Sequence, residues 1–373
     1  MNKDLTINYR LLTSISNKEK QMILTLDMEQ DGKKEAVFLY KQPNEDYQVY
    51  LSIYNQTIEG WQSQLTHTFT EDGVDIVKIG DFTGNHKKEI LIGISQGREL
   101  SDNDMHAFSI ENNNITEFYN QNYTKLFVDD WDENGIDDVS FVTYEQDKQL
   151  KVEFMEQFKT LSEVSFNPSI NNIQKIQLGC ITKQMEAIVI DAGLGAHSGI
   201  TYVTKFEDNH FEELFQDEEN LPMIAYVGES KDTNDDEIIE LGNTIVPKGW
   251  DESSYAEHPM LEHYVQWDGE NALKSVEEVY INIEQGYIIK ISKELFGNII
   301  LATKTCLKNI QRLIWAETGE TWPKVYTFKR KEWPIKNYEV VVNTSSRIYA
   351  VPNQSKYKKL KSYIKPLAEY QQG

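Results

Sequence analysis

The residues best suited to chemistry lie in one acidic stretch, Asp130-Trp131-Asp132-Glu133-Asn134-Gly135-Ile136-Asp137-Asp138. Side-chain oxygens stand at its positions 1, 3, 5 and 9, with glycine at position 6. Alternate residues of a tightly turning loop can aim inward at one point. A hard cation such as Ca²⁺ takes a ring of carboxylate and amide oxygens, and glycine permits the sharp turn. Asp130, Asp132, Asn134 and Asp138 are therefore candidate Ca²⁺ ligands. The frame recurs three times. Asp27, Glu29, Asp31 and Glu35 repeat it around Gly32; Asp81, Thr83, Asn85 and Glu89 repeat it around His86; Asp232, Asn234, Asp236 and Glu240 repeat it around Glu237. The first and last of these sets are weaker cation candidates. Thr83 and His86 weaken the middle one further. The alternative for every loop is that hydrogen bonds alone hold it.

These loops must be positioned by the apolar runs that flank them. The first Asp of each loop lies at 27, 81, 130 and 232, intervals of 54, 49 and 102, the last being twice 51. A degenerate copy is expected near 181, where Glu186 and the apolar run 187–190 survive without the other ligands. Five units of about 51 residues signal a repeat fold. Within a unit the order reads strand, acidic loop, strand, hairpin, strand, with alternating apolar residues around Asn, Asp and Gly turns. The expectation is an all-β chain: a β-propeller of five four-stranded blades over residues 1–280, with blades at about 20–69, 73–120, 122–166, 173–216 and 223–277. Residues 5–14 read as a strand outside the repeats that completes the last blade. Residues 281–373 read as a small C-terminal α+β or mainly-β domain. It has strands near 286, 299 and 338, an ambiguous 307–315, and a helical look over 357–370 interrupted by Pro366.

Composition narrows the classes. With 26% charged residues and an ordinary apolar fraction the chain is globular. No run of about 18 apolar residues spans a membrane. The first residues lack the apolar core of a signal peptide, which suits either a cytosolic chain or a mature exported segment. Cys180 and Cys306 form neither a disulfide framework nor a metal spacing; they read as buried thiols, with a disulfide between them as the alternative. From residue 281 onward there are 16 Lys and Arg against 7 Asp and Glu, a balance of +9; the first 280 residues hold 21 against 53, a balance of −32. The acidic body should repel nucleic acid and anionic lipid. In the tail, Lys356, Lys358, Lys359 and Lys361 read as a solvated or docked face, or as a contact for an anionic polymer.

The loops resemble the FG-GAP/VCBS calcium-binding propeller repeat, the integrin-like Asp-x-Asp-x-Asp-Gly-x-x-Asp pattern. Residues 130–138 match it well, and the resemblance adds the Ile136 carbonyl as a backbone ligand. Glu35, Glu89 and Glu240 depart from its ninth-position Asp. One methylene longer, they can brace the loop through backbone N–H groups instead. The whole chain is also loosely similar to Gram-positive bacterial lipoproteins that append a small domain to such repeats, a likeness resting on residues 280–293. These resemblances imply an extracellular or cell-envelope, non-enzymatic binding or adhesion module with a protein or glycan ligand, attached at the surface through its native N-terminus; the alternative location is cytoplasmic. The alternative function is a carbohydrate-active or other hydrolase using carboxylates at the propeller axis. The Asp191, His197 and Ser198 group in the Gly-rich stretch 191–199 lacks the Gly-x-Ser-x-Gly frame and reads as turn geometry rather than a nucleophile site.

Overall fold

The computed structural model describes residues 9–14, 23–71, 73–95, 103–111, 114–144, 149–166, 170–195, 198–215, 223–224, 229–246, 250, 260–296, 299–301, 313–315, 325–353 and 362–370. Among the described residues, every regular element except a four-residue helix and two short 3-10 turns is a β-strand. None is a helix long and apolar enough to cross a membrane.

The strands form antiparallel sheets of the four-stranded kind from which propeller blades are built. The first sheet has β1 (Arg10–Leu11), β2 (Leu24–Leu26), β3 (Glu35–Lys41), β4 (Val49–Thr57) and β5 (Gly60–Phe69). β1 and β2 share one edge of β3, and β4 and β5 follow on the other. The second runs β6 (Gly73–Gly80), β7 (Glu89–Ser95), β8 (Asn103–Glu111), β9 (Asn114–Tyr123). The third runs β10 (Lys125–Asp129), β11 (Asp138–Thr143), β12 (Lys151–Glu156), β13 (Lys159–Ser165). The fourth runs β14 (Asn172–Thr182), β15 (Met185–Gly195), β16 (Ser198–Glu207), β17 (His210–Glu213), with β18 (Met223–Ile224) on β16. Here a tight turn at Lys183 and Gln184 stands where the acidic loop is missing.

The fifth sheet begins with β19 (Leu241–Thr244), β20 (Met260–Trp267), β21 (Leu273–Asn282) and β22 (Tyr287–Ile291). Next come a two-stranded pair, β23 (Ile299–Leu301) and β24 (Leu313–Trp315), and a three-stranded sheet, β25 (Tyr326–Lys329), β26 (Tyr338–Asn343) and β27 (Arg347–Pro352). β28 (Ile364–Pro366) then returns to pair with β22, and helix α1 (Leu367–Tyr370) ends the described chain.

Two compact units are distinguished: residues 1–176 with 204–214, and residues 177–203 with 215–373. In the first, parity along each strand explains the packing. Ile90, Ile92 and Ile94 of β7 join a core with Val37, Leu39, Leu51 and Ile53 of the first sheet. Leu91, on the opposite face, joins Met105 and Ala107 in a core with Leu126, Val139 and Phe141 of the third. All seven residues of β7 are buried, so the strand reads as a continuous apolar run rather than an alternating one. Each fully buried Ile or Leu contributes about 1.5–3 kcal/mol. Alternation puts position 93 on the Leu91 face, and it is glycine because Tyr123 fills the space. A Cβ there would lie 2.1 Å from the Tyr123 hydroxyl oxygen, which donates to the buried Asp75 carboxylate at 2.7 Å.

In the second unit, one face of the fifth sheet, with Leu261, Tyr280, Tyr287 and Ile289, packs on Val325, Tyr349 and Val351. Its other face, with Tyr264, Val279, Ile281 and Ile288, packs on Leu367 and Tyr370 of α1.

Several expectations change. The N-terminal strand pairs with β3 of the first sheet rather than completing the last blade. Its Arg10 and Leu11 extend an edge that the three-residue β2 leaves open. Among the described residues before the last acidic loop, none forms a strand of the fifth sheet; Lys231 makes only a bridge to Glu240. β22 and β28, from beyond residue 281, supply the outer strands instead. Of the helix expected at 357–370, residues 357–361 lie outside the described residues; of the rest, 364–366 are a strand and 367–370 an α-helix, because Pro366 lacks the N–H that a helix running through it requires. In the ambiguous 307–315, residues 313–315 are strand and the rest lie outside the described residues. The lysines at 356, 358, 359 and 361, Cys306 and His197 also lie outside them; Cys180 is a free thiol.

Candidate functional site

All four acidic loops share one hydrogen-bonded frame. The first Asp accepts from the backbone N–H groups of positions 5 and 6: Asp27 from Asp31 and Gly32, Asp81 from Asn85 and His86, Asp130 from Asn134 and Gly135, Asp232 from Asp236 and Glu237. The fifth residue accepts from the N–H of position 7 in each, as Asn134 does from Ile136 at 2.8 Å. Position 6 is left-handed throughout, with φ of 85° at Gly32, 64° at His86, 86° at Gly135 and 66° at Glu237. Glycine takes that conformation without steric cost; His86 and Glu237 take it against a penalty of about 1–2 kcal/mol.

Position 9 separates the loops. In each, one of its carboxylate oxygens accepts from the N–H of position 2. In the second loop the other Glu89 oxygen also accepts from Thr83 Oγ1 at 3.0 Å and Asn85 Nδ2 at 3.1 Å. In the last, Glu240 Oε1 accepts from Asn234 Nδ2 at 3.1 Å. In both, side chains of the loop already engage the second oxygen of the ninth residue. In the first loop, Asp31 is paired with Lys33 at 2.9 Å. Burial raises the pKa of Glu35 and Glu240. Asp232, despite its burial cost, is pulled below the usual carboxylate range by four backbone N–H donors.

The third loop differs. Asp138 reaches the Trp131 N–H at 3.2 Å with Oδ2, but its Oδ1 is buried without a hydrogen-bond partner. The residue is 0% exposed. Burial, then the neighbouring Asp132, Glu156 and Asp130 charges, push its pKa up to about 7 against the pull of that N–H. One oxygen each of Asp130, Asp132 and Asp138 lies within 4.8 Å of the others. Such a cluster can hold a metal ion: an uncompensated buried carboxylate among like charges is costly, and a divalent cation removes both costs. Asn134 stands beside the cluster, its Nδ2 donating to Asp132 at 3.0 Å and to Glu156 at 3.1 Å. Ile136 follows, half-buried. Glu156, at the end of β12, adds a carboxylate that no loop pattern indicates; its only signal is a position at the second hairpin of the same unit.

Asp191 is buried in a different role. Its carboxylate accepts from Thr201 Oγ1 at 2.6 Å, Ser230 Oγ at 2.8 Å and the Ser230 N–H at 2.8 Å. That network ties neighbouring segments together.

No family model matches the chain, and no curated protein does. Among solved structures it is similar to a rhamnogalacturonan lyase of Bacillus licheniformis, at 10% identity and a TM-score of 0.31, over 63% of this chain and 58% of that one. An exotype rhamnogalacturonan lyase gives 10% identity and a TM-score of 0.32, over 84% and 75%. An exo-β-1,3-galactanase of Clostridium thermocellum gives 8% and 0.28, over 92% and 87%. These neighbours are carbohydrate-active enzymes. At such scores the likeness carries neither activity nor substrate to this chain.

Proposed function

We propose that this chain is a non-enzymatic binding module of the cell envelope or exterior, with a protein or glycan ligand, whose third-sheet loop is locked by Ca²⁺. The observation that carries the cation is Asp138 Oδ1, buried and unpartnered beside Asp130 and Asp132. Asp130, Asp132, Asn134 and Asp138 would hold the ion, with Ile136 offering its carbonyl. The ion would supply charge neutralisation and a fixed loop. The sets at Asp27, Glu29, Asp31, Glu35 and at Asp232, Asn234, Asp236, Glu240 are weaker sites, since Lys33 already pairs with Asp31 in the first and Asn234 already engages the second Glu240 oxygen in the last. Millimolar calcium outside cells suits weak sites, which supports the location. Fractionation of the native producer tests it; recovery only from the cytosol would count against it.

Calcium that binds only the folded form stabilises it by about 2.7 kcal/mol at a hundred times Kd. Thermal melting with calcium against chelator should therefore show a rise in Tm for the natural chain that Asp132→Ala abolishes. Equal rises in both would remove the cation from this loop. The runner-up function is a carbohydrate-active enzyme, the class to which the structural neighbours belong. An assay for chain cleavage on acidic and neutral polysaccharides decides it, and turnover there would replace the binding reading.

A further inference from the structure

Away from the Asp130 cluster, the second unit carries an open cleft of about 400 Å³ beside the last acidic loop. Its walls come from residues 231–235, β22, β28 and α1, elements far apart in sequence. Three lysines are among its lining residues, Lys231, Lys290 and Lys365. Two are held in place. Lys231 Nζ lies 4.1 Å from the centroid of the Tyr370 ring and donates to the Tyr370 carbonyl oxygen at 3.4 Å. Lys290 Nζ pairs with Glu277 at 2.5 Å and donates to the Thr233 carbonyl oxygen at 3.3 Å. Lys365 is exposed, on a strand whose backbone is fixed by pairing with β22.

The acids of the lining are unequal. Asp232 commits its carboxylate to the N–H groups of Asn234, Asp235, Asp236 and Glu237. Asp235 and Glu369 are exposed carboxylates with acceptor capacity for hydroxyl donors. Val342, Ile364 and Pro366 add a small apolar wall.

We propose that this cavity binds a small carboxylated polyol, a hexuronate or a short uronate-ended saccharide. The volume falls in the range of small-molecule sites, about 300–1,000 Å³. Lys231 and Lys365 meet a single carboxylate, Lys290 being already paired with Glu277. The acidic residues accept sugar hydroxyls, and the apolar wall meets the C–H face of a ring. A phosphate dianion fits worse, because Asp235 and Glu369 repel its second charge while it offers them few donors. The site uses no residue of the Asp130 cluster; it shares Asp232 with the weaker cation set of the last loop, so the titrations below are made in chelator.

The test is calorimetric titration of the full chain with glucuronate, glucose and inorganic phosphate. Glucuronate should bind saturably and at least about tenfold more tightly than either alternative, a difference of about 1.4 kcal/mol. Lys365→Glu should weaken glucuronate at least about tenfold, whereas Lys336→Glu, also an exposed charge reversal, should leave it unchanged. Melting curves establish that both variants fold; Lys365→Ala replaces Lys365→Glu if that variant does not. The proposal is overturned by absent glucuronate binding, by equal binding of glucose, by tighter binding of phosphate, or by undiminished binding in the Lys365 variant.

Discussion

Asp138 and Glu89 occupy the same loop position and differ by one methylene. Glu89 reaches far enough to engage the position 2 N–H and the side chains of Thr83 and Asn85 together. Asp138 reaches the N–H alone and leaves a buried oxygen unsatisfied. An unpaired buried acceptor costs about 1–3 kcal/mol, more when charged. The third loop is thus the one that gains most from a cation. Asp138→Glu should convert it to the self-braced type. Chelator should then lower Tm less than in the natural chain, with stability in chelator equal or higher. A variant whose melting responds to calcium as the natural chain does would show that reach is not what distinguishes the loops.

Successive loops are also joined as elements. The position 8 N–H of one loop donates to a carbonyl of the loop before it: Lys88 to Met28 at 3.3 Å, and Asp137 to Asp81 at 2.9 Å. In the second unit Ile239 donates to the Cys180 carbonyl at 2.7 Å. Cys180 lies one residue from where the 51-residue spacing puts the missing Asp, so the degenerate copy keeps the acceptor after losing the ligands. The tail is a second joint. Glu262 on β20 is buried and accepts from the Tyr264 and Tyr370 hydroxyls, both at 2.8 Å, with Lys231 and Glu229 as the nearby charges. Burial raises its pKa more than the phenols and Lys231 lower it. A carboxyl whose folded pKa is raised binds its proton more tightly in the folded state. Its contribution is fully present below the unfolded value of about 4.3 and is lost as pH rises through the folded one. Glu262→Gln should therefore flatten the decline in Tm between pH 4 and neutrality, leaving the same-sign contributions of Asp138, Glu35 and Glu240. Parallel curves for the two proteins would mean that Glu262 does not titrate in that window.

Across the whole molecule the formal charge is −23, with the excess acid in the first 280 residues. Such a balance destabilises the compact state through self-repulsion. Salt shortens the Debye length from about 30 Å at 0.01 M to about 3 Å at 1 M. In chelator, Tm should therefore rise with NaCl over that range, and rise less once calcium is bound. A fall in Tm would indicate that local ion pairs such as Lys290–Glu277 outweigh the repulsion. The acidic-to-basic change near residue 280 does not mark an edge of the fifth sheet. β21 crosses it, and β22 and β28 build the sheet from the basic side.

The amino-acid sequence by itself determined the all-β class, the strands that flank the loops of the first three sheets, the spacing of the loops and the four loop frames. Each of these depends on local rules: alternation along a strand, a left-handed turn at position 6, and the reach of the ninth side chain. Even the distinction between Glu89 and Asp138 is local, since both close a ring of nine residues. Only the tertiary structure decided where β1 pairs, which strands complete the fifth sheet, that Glu156 stands beside Asn134, and that Lys231, Lys290 and Lys365 share one cavity. Those juxtapositions join residues from 22 to more than 130 positions apart. No periodicity links such residues, and their meeting is fixed by which buried faces pack together rather than by any local preference of the chain.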